Sequence, residues 1–408
     1  MMWARVKRMA QHRDISVFGN ISPAMEANFS AEEQALAQRA RELDARFLPL
    51  FERREFTYTH HAERMKAYLP EGLHDDANLV KTQQLQISYN VWKAKNNPET
   101  AETIICLGGI YNSARRFDFF AEGAMDNFNI IALDYPGKGH SDNLRMPGDY
   151  TLETYAAIVR ALIDHVQPDN KFHLIGHSHG TKVIYAMVED GFAHDNWAGT
   201  IIGDMPPETP AGPKLRRAWR NRERPASPTV GDAVKKLTNF LAGHGAPVDP
   251  DFIVHDFNHG FAHFTREGFG WAYDPNSMYG YADEYLKPYD KWDAFEKIPT
   301  PILLLAGEKS NTATPDIVQK MLAVRPDMSL MMYEGVGHYP ELVTPKRISE
   351  VCDWVKTAET AAAPLRATVP ADPAKDMVRH IVQDNQPQAQ TPAPSAPARK
   401  NANGGMKP

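Results

Sequence analysis

The most constraining feature of this sequence is a series of short apolar runs that alternate with helix-length segments such as 151–166 and 346–358. Strands that are buried on both faces of a parallel sheet have nearly continuous apolar sequences of this kind. The alternation predicts a doubly wound, mostly parallel α/β sheet. The predicted strands are 85–93, 103–109, 129–135, 172–176, 200–204, 301–307 and 329–335.

The alternation is interrupted once, by a long aromatic-rich segment without a comparable apolar run. We therefore predict a core in two parts, 81–204 and 298–359, with a mainly helical cap inserted at 205–297. The aromatic residues of this segment could line an apolar pocket, although most of them are expected to form the core of the cap.

Both ends of the chain differ from this core. Residues 30–33, Ser-Ala-Glu-Glu, form a capping box that predicts a helix over 31–48, and a second helix is predicted at 61–69. We interpret 1–80 as a helical extension. The tail 360–408 is rich in Ala, Pro and Gln and has few large apolar residues, so we predict disorder there.

Composition excludes several classes of protein. The 408 residues carry 24% charged side chains and a net charge of −6, so no basic surface for nucleic acid is expected. We recognise neither a signal peptide nor an apolar run of the roughly 20 residues that span a membrane. The only cysteines are Cys106 and Cys352, which excludes a disulfide framework and favours a reducing, cytoplasmic location.

The segment FHLIGHSHGTKVIYAMV, residues 172–188, places a Gly-x-Ser-x-Gly turn between a predicted strand and a predicted helix. This is the pattern of a nucleophile elbow, in which a strained turn presents the serine at the edge of the sheet. Gly176 and Gly180 would allow close packing around the turn. We therefore predict that Ser178 is a nucleophile rather than an incidental turn residue.

Several segments, in chain order, resemble the landmarks of the α/β-hydrolase superfamily over about residues 80–358. They are LGGIYNSARRFDFFA, IIALDYPGKGHSDN, LIGHSHGTKVIYAM, PTPILLLAGEKS and YEGVGHYPELVTPKRI. The resemblance implies the α/β-hydrolase fold and a catalytic serine at Ser178. It also implies that His338, which follows the last predicted strand, is the catalytic base.

The same resemblance suggests where an oxyanion would be bound. The backbone N–H of His179, directly after Ser178, is one expected donor. The second donor is expected in the loop after the strand at 103–109, with Ile110 preferred and Gly109 next. The Tyr111 hydroxyl could contact substrate.

The acid of the triad departs from the family pattern. Related hydrolases often have an aspartate where this chain has Asn311, which cannot stabilise an imidazolium by charge. Asp204 ends the strand that follows the elbow, and some members of the superfamily take their acid from this position. We favour Asp204, with Glu308 and Asp316 as alternatives, or a purely structural role for Asp204.

Other histidines give weaker indications. Of the two that flank the serine, His177 and His179, one is expected to pack under the turn and the other to line the pocket. His255, His259 and His263 have helical spacing that could suit a metal, but no acidic or cysteine set accompanies them in the sequence. We predict packing and no metal. The glycines do not form a dinucleotide motif, and nothing suggests another cofactor.

These observations favour a serine hydrolase that cleaves a small, fairly apolar ester, thioester or amide through an acyl-enzyme. A second hypothesis is a cofactor-independent dioxygenase of the quinolone type, because those enzymes have a His-Ser-His-Gly elbow and take their acid from the strand after it. An acyltransferase and a non-catalytic binding protein are further alternatives. The sequence indicates neither the oligomeric state nor the leaving group.

Overall fold

The centre of the fold is an eight-stranded sheet. The structure is a computed structural model, and it describes residues 16–61, 82–209, 226–244, 249–264, 268–284, 286, 288–338 and 342–358. The strands are β1 (Glu52–His60), β2 (Gln83–Trp92), β3 (Thr103–Leu107), β4 (Asn129–Leu133), β5 (Phe172–His177), β6 (Trp197–Gly203), β7 (Glu208–Thr209), β8 (Phe261–Phe264), β9 (Gly268–Trp271), β10 (Tyr289–Asp290), β11 (Ile302–Gly307) and β12 (Ser329–Tyr333). The sheet order is β1-β2-β4-β3-β5-β6-β11-β12. All pairs from β4 to β12 are parallel, and only β2 runs antiparallel to its neighbours.

The helices are α1 (Val17–Asn20), α2 (Pro23–Glu26), α3 (Ala31–Phe47), α4 (Asp118–Ala124), α5 (Leu152–Val166), α6 (His179–Glu189), α7 (Val230–Gly243), α8 (Pro250–Gly260), α9 (Ser277–Asp283), α10 (Trp292–Glu296), α11 (Pro315–Val324) and α12 (Pro345–Thr357). One face of the sheet packs against α5, α6, α10 and α11, and the other packs against α4 and α12. Every residue of β3 and β11 is buried between these layers. The predicted doubly wound, mostly parallel sheet is therefore confirmed.

The prediction that residues 1–80 form a helical extension is wrong for Glu52–His60, which is strand β1 at the edge of the sheet. Its antiparallel register with β2 places Phe56 opposite Ile87. Only Phe56 and His60 of this strand are buried, and all the others are exposed or half-buried. An edge strand with one solvated face lacks the continuous apolar run by which the other strands were recognised.

The first part of that extension is helical and packs on the cap. In α3, Ser30 and Glu33 form the predicted capping box, with each side chain bonded to the other residue's backbone N–H. The buried side of α3, which includes Ala40, Leu43 and Phe47, joins one apolar cluster with α7 and α8. The N-terminal segment and the cap therefore share a core.

The described part of the inserted cap contains α7, α8, α9 and α10. It also contains two short antiparallel ladders, β7 with β10 and β8 with β9, which the sequence did not indicate. The helix predicted at 61–69 and the tail 360–408 lie outside the described residues, apart from position 61, which is not helical. Within the described ranges, no helix combines the length and the apolar character needed to cross a membrane.

Candidate active site

Ser178 lies at the turn between β5 and α6, as the elbow pattern predicts. Its backbone has φ +51° and ψ −111°, a conformation that a serine rarely adopts. A Cβ on Gly176 would lie 2.6 Å from Thr181 N, and a Cβ on Gly180 would lie 2.1 Å from Leu107 O. Because neighbouring backbone fills this space, both positions require glycine.

Three side chains that are far apart in the sequence form a continuous line of hydrogen bonds. Ser178 Oγ lies 3.0 Å from His338 Nε2, and His338 Nδ1 lies 2.8 Å from Asp204 Oδ2. Asp204 is 0% exposed and His338 is 8% exposed. When Nδ1–H donates to the buried carboxylate, Nε2 is the ring atom that can take the serine hydroxyl proton.

The Asp204 carboxylate is held by the end of β11 and the loop that follows it. Asp204 has a backbone φ of +50°, and its backbone N–H donates to Leu305 O at 2.8 Å. Oδ1 accepts the N–H of Gly307 at 3.2 Å, and Oδ2 accepts the hydroxyl of Ser310 at 2.5 Å. The carboxylate is therefore oriented towards His338 by groups from β11 and the loop after it.

Ser310 is a site residue that sequence reasoning did not identify. Its Oγ accepts the backbone N–H groups of Thr312 and Ala313 at 3.0 and 3.1 Å, so its own hydrogen points to Asp204. The available signal was the Ser-Asp pair of related hydrolases, of which this chain keeps the serine and replaces the aspartate by Asn311.

The alternative acids lie elsewhere. Asn311 Oδ1 accepts the Thr312 hydroxyl at 3.3 Å, and Glu308 Oε2 accepts Gly335 N–H at 2.8 Å. Asp316 is exposed in the first turn of α11. Within the part of the chain that the structure describes, neither of the two alternative acids, Glu308 and Asp316, has a hydrogen bond to His338, and Asn311 has none either.

The expected oxyanion donors lie at the ends of β3 and β5. Gly109 N–H donates to Asn112 Oδ1 at 3.0 Å, so that donor is already engaged. Among the described residues, neither the Ile110 N–H nor the His179 N–H has a recorded acceptor. Ile110 therefore stays the predicted second donor, and its N–H is preferred to that of Gly109.

The two histidines beside Ser178 have different surroundings. His177 is half-buried, lies with its ring centroid 6.0 Å from that of His338, and borders a cavity of about 40 Å³ with Arg116. Its burial, Arg116 and His338 hold the pKa of His177 well below its usual range. His179 is buried, and its Nε2 lies 3.3 Å from Glu284 Oε1.

Tyr111 packs against aromatic residues of the cap. Its ring is stacked on Trp271 at 5.2 Å and lies 5.7 Å from Tyr273, measured between centroids. Ile110 and Tyr273 are buried in the same small apolar cluster. This contact joins the loop after β3 to the cap. A contact between the Tyr111 hydroxyl and substrate stays a prediction.

The histidines of α8 have acidic partners after all, which corrects the expectation from the sequence. His255, His259 and Asp44 of α3 have ligand atoms within 4.8 Å of one another. Arg115, however, donates to Asp44 at 3.1 Å and to Asp118 at 2.6 Å. A guanidinium among these groups favours an ion-pair network over a metal site.

Burial and Arg115 lower the pKa of His259 to about 4, despite its contact with Asp44. The pKa of Asp44 is about 2, because His259 and Arg115 outweigh the effect of its burial. The network therefore contains a neutral histidine and a charged carboxylate at neutral pH. It joins α3, the segment before α4, and α8.

Comparisons with known proteins agree with this architecture. Residues 104–351 match the family model described as the Alpha/beta hydrolase family. A 3-hydroxybutyrate-oligomer hydrolase of Cupriavidus necator is 22% identical over 290 residues, which cover 69% of this chain and 92% of that protein.

Two solved structures are similar in fold. An alpha/beta hydrolase from Novosphingobium aromaticivorans has a TM-score of 0.59 at 20% identity and covers 75% of this chain and 98% of its own. A thermophilic esterase from Thermogutta terrifontis has a TM-score of 0.52 at 19% identity and covers 68% of this chain and 95% of its own.

Proposed function

Because the chain belongs to the alpha/beta hydrolase family, we propose that it is a serine hydrolase that cleaves a carboxylic ester, or a related thioester or amide, through an acyl-enzyme on Ser178. The observation that carries the proposal is the line of hydrogen bonds from Ser178 Oγ through His338 to Asp204, with distances of 3.0 and 2.8 Å. The similarity to the 3-hydroxybutyrate-oligomer hydrolase of Cupriavidus necator supports a hydrolase.

The proposed reaction has two steps. Ser178 Oγ attacks the carbonyl carbon while its proton passes to His338 Nε2, and the negative oxygen is bound by the N–H groups of His179 and Ile110. The proton then passes to the leaving alkoxide as the ester bond breaks. A water molecule, activated in turn by His338, hydrolyses the acyl-enzyme and returns Ser178 to its hydroxyl form.

Asp204 supports both steps through its charge. Its carboxylate fixes the His338 tautomer and stabilises the imidazolium that forms when the serine proton arrives.

Aromatic residues of the cap, including Trp271 and Tyr273, form an apolar cluster with Ile110. An apolar surface of this kind would suit a small acyl group. The two cysteines are free and buried, which fits the proposed cytoplasmic location.

The proposal is tested with p-nitrophenyl esters of graded acyl length. We expect hydrolysis that is lost, by orders of magnitude in kcat, in Ser178→Ala. The matched control is Ser349→Ala on α12. Within the described residues, the Ser349 hydroxyl donates only to the exposed side chain of Asp353. Equal turnover by wild type and Ser178→Ala would contradict the proposal.

The position of Asp204 directly after β6 also supports the second candidate, a cofactor-independent dioxygenase of the quinolone type. The two functions are separated by measuring oxygen consumption with hydroxyquinolones in metal-free buffer. Oxygen uptake without ester hydrolysis would favour the dioxygenase, and the reverse result would exclude it. Transfer of the acyl group to an added alcohol would identify an acyltransferase.

A further inference from the structure

A group of buried polar side chains lies next to the elbow and has no part in the proposed reaction. We name it the Lys138 cluster, and it consists of Tyr135 and Lys138 after β4, Tyr155 of α5, and the His179 side chain at the start of α6. These four residues are at most 2% exposed. A lysine is almost never fully buried without a partner, so this group requires an explanation.

Within the part of the chain that the structure describes, Lys138 Nζ and the hydroxyls of Tyr135 and Tyr155 have no hydrogen-bond partner. Lys138 Nζ lies 5.1 Å from the centroid of the Tyr135 ring and 5.3 Å from that of Tyr155. The two rings are 5.0 Å apart. Three unsatisfied donors in one buried place point to a bound acceptor group.

His179 Nδ1 is a fourth unsatisfied atom in the described residues. Because Nε2 of this ring donates to Glu284, Nδ1 is an acceptor. Neither this nitrogen nor Lys138 Nζ has a hydrogen-bond partner in the described residues.

The carboxylates nearest to the cluster already accept hydrogen bonds from other donors. Glu284 already accepts Lys182 Nζ at 2.9 Å, and the Asp134 carboxylate is occupied by the backbone N–H groups of Ala114 and His140. Lys138 has no recorded ion pair in the described residues. Its burial lowers the pKa of Lys138 to about 7, although Glu284 and Asp134 act in the opposite direction.

The cluster adjoins the elbow, because it includes the side chain of His179, the residue that follows Ser178. In the sheet, β3 lies between β4 and β5. Ile110 follows β3, Lys138 follows β4 and Ser178 follows β5. Lys138 forms an isolated β-bridge with Tyr273, which is buried with Ile110 in one cluster. Tyr273 therefore connects Lys138 with the loop that holds Ile110, the predicted second oxyanion donor.

We propose that the Lys138 cluster binds a carboxylate at the far end of the substrate's acyl group. The preferred substrates are then half-esters of short dicarboxylic acids, with an apolar middle section against Ile110 and Tyr273. This inference rests on the proposed function and defines its substrate class.

The direct test compares two p-nitrophenyl esters of equal acyl length, the half-ester of glutaric acid and the ester of pentanoic acid. We expect wild type to favour the half-ester by at least about tenfold in kcat/KM, because unpaired buried donors disfavour an acyl chain that cannot bind them. Lys138→Met should abolish the preference, by reducing kcat/KM far more for the half-ester than for the pentanoate. The control Lys95→Met removes an exposed ammonium that pairs with Asp126.

A wild type without this preference, or a Lys138→Met variant that loses both activities equally, would overturn the proposal. Binding is measured separately in Ser178→Ala, which does not turn over the ester. Glutarate should raise its melting temperature, whereas acetate and pentanoate should not. The shift should be absent from the Ser178→Ala, Lys138→Met double variant.

The outcomes separate this inference from the proposed function. Glutarate binding without hydrolysis of either ester would support the carboxylate site and reject the ester hydrolase. Hydrolysis of both esters at equal rates would support the ester hydrolase and reject the carboxylate site. Equal stabilisation by glutarate and acetate would mean a general anion site, which contradicts a carboxylate bound as part of the substrate. If Lys138→Met does not fold, the wild-type preference and glutarate binding by Ser178→Ala still decide.

Discussion

Replacing Lys138 by methionine is expected to stabilise the folded chain. Methionine has a similar length and no charge, so it fills the same space between Tyr135 and Tyr155. A pKa lowered from 10.5 to about 7 means that burial of the charged ammonium costs up to about 5 kcal/mol. Relaxation around a methionine reduces the gain, so we expect about 1–4 kcal/mol, the range seen when apolar residues replace buried ion pairs.

The sign of the pH dependence follows from proton binding. Between pH 7 and 10.5 the unfolded chain keeps the Lys138 proton, whereas the folded chain has lost it. The unfolded state therefore binds more protons, and the wild-type stability contributed by this residue rises with pH across that window. The advantage of Lys138→Met should be largest below pH 7 and disappear near pH 10.5.

The assay is urea denaturation of wild type, Lys138→Met and the control Lys95→Met at several pH values. We expect only Lys138→Met to change the slope of unfolding free energy against pH. Destabilisation of Lys138→Met at pH 6 would refute the reasoning, because it would mean that Lys138 has a compensating partner in the folded state. A stabilising change at this residue would also show that the lysine is maintained for a reason other than folding.

Three further predictions concern the relay and the cap. Asp204→Asn should lower kcat by up to about 10⁴-fold, as in the serine-protease precedent, while Asn311→Ala should cost far less; the reverse order would reject Asp204 as the acid. Ser310→Ala should lower kcat by about tenfold with KM nearly unchanged, because it orients Asp204 and does not meet substrate; a change confined to KM would disagree. Phe47→Ala should cost about 3–5 kcal/mol in unfolding free energy, since this fully buried ring packs on His255 of α8, and a loss below 1 kcal/mol by denaturant titration would argue against the shared core of α3 and the cap.

The sheet could be predicted because most of its strands are buried on both faces. Such strands have apolar runs whose order and spacing remain visible in the sequence, as in β3 and β11. Strand β1 was missed because most of its residues are exposed or half-buried, and only Phe56 and His60 are buried. Its assignment depends on pairing with β2, which is not a local property of the sequence.

The elbow and its histidine could also be located in advance, because Ser178 and His338 each follow a recognisable strand. The position of Asp204 was selected by charge rather than by pattern, and the structure places it 2.8 Å from His338. Ser310 was not identified, since a serine in a loop gives no sign of the group to which it donates.

The contacts of the α8 histidines could not be predicted either, because their partners come from distant parts of the sequence. Asp44 lies on α3, and Arg115 precedes α4, yet both meet His259 in the folded chain. Helical spacing showed that His255 and His259 share one face of α8, but not what that face packs against. The same limit applies to Lys138, whose burial depends on α5 and α6.

The central claim is that Ser178 is a nucleophile activated by His338 and Asp204. It is tested most directly by treating the full chain with a fluorophosphonate and locating the adduct by peptide mass spectrometry. In this reaction the serine oxygen bonds to phosphorus as fluoride leaves, and the serine proton is taken up by His338. We predict one adduct, on Ser178, with labelling much slower in His338→Ala and absent from Ser178→Ala. Labelling at another residue, or at an unchanged rate in His338→Ala, would contradict the account.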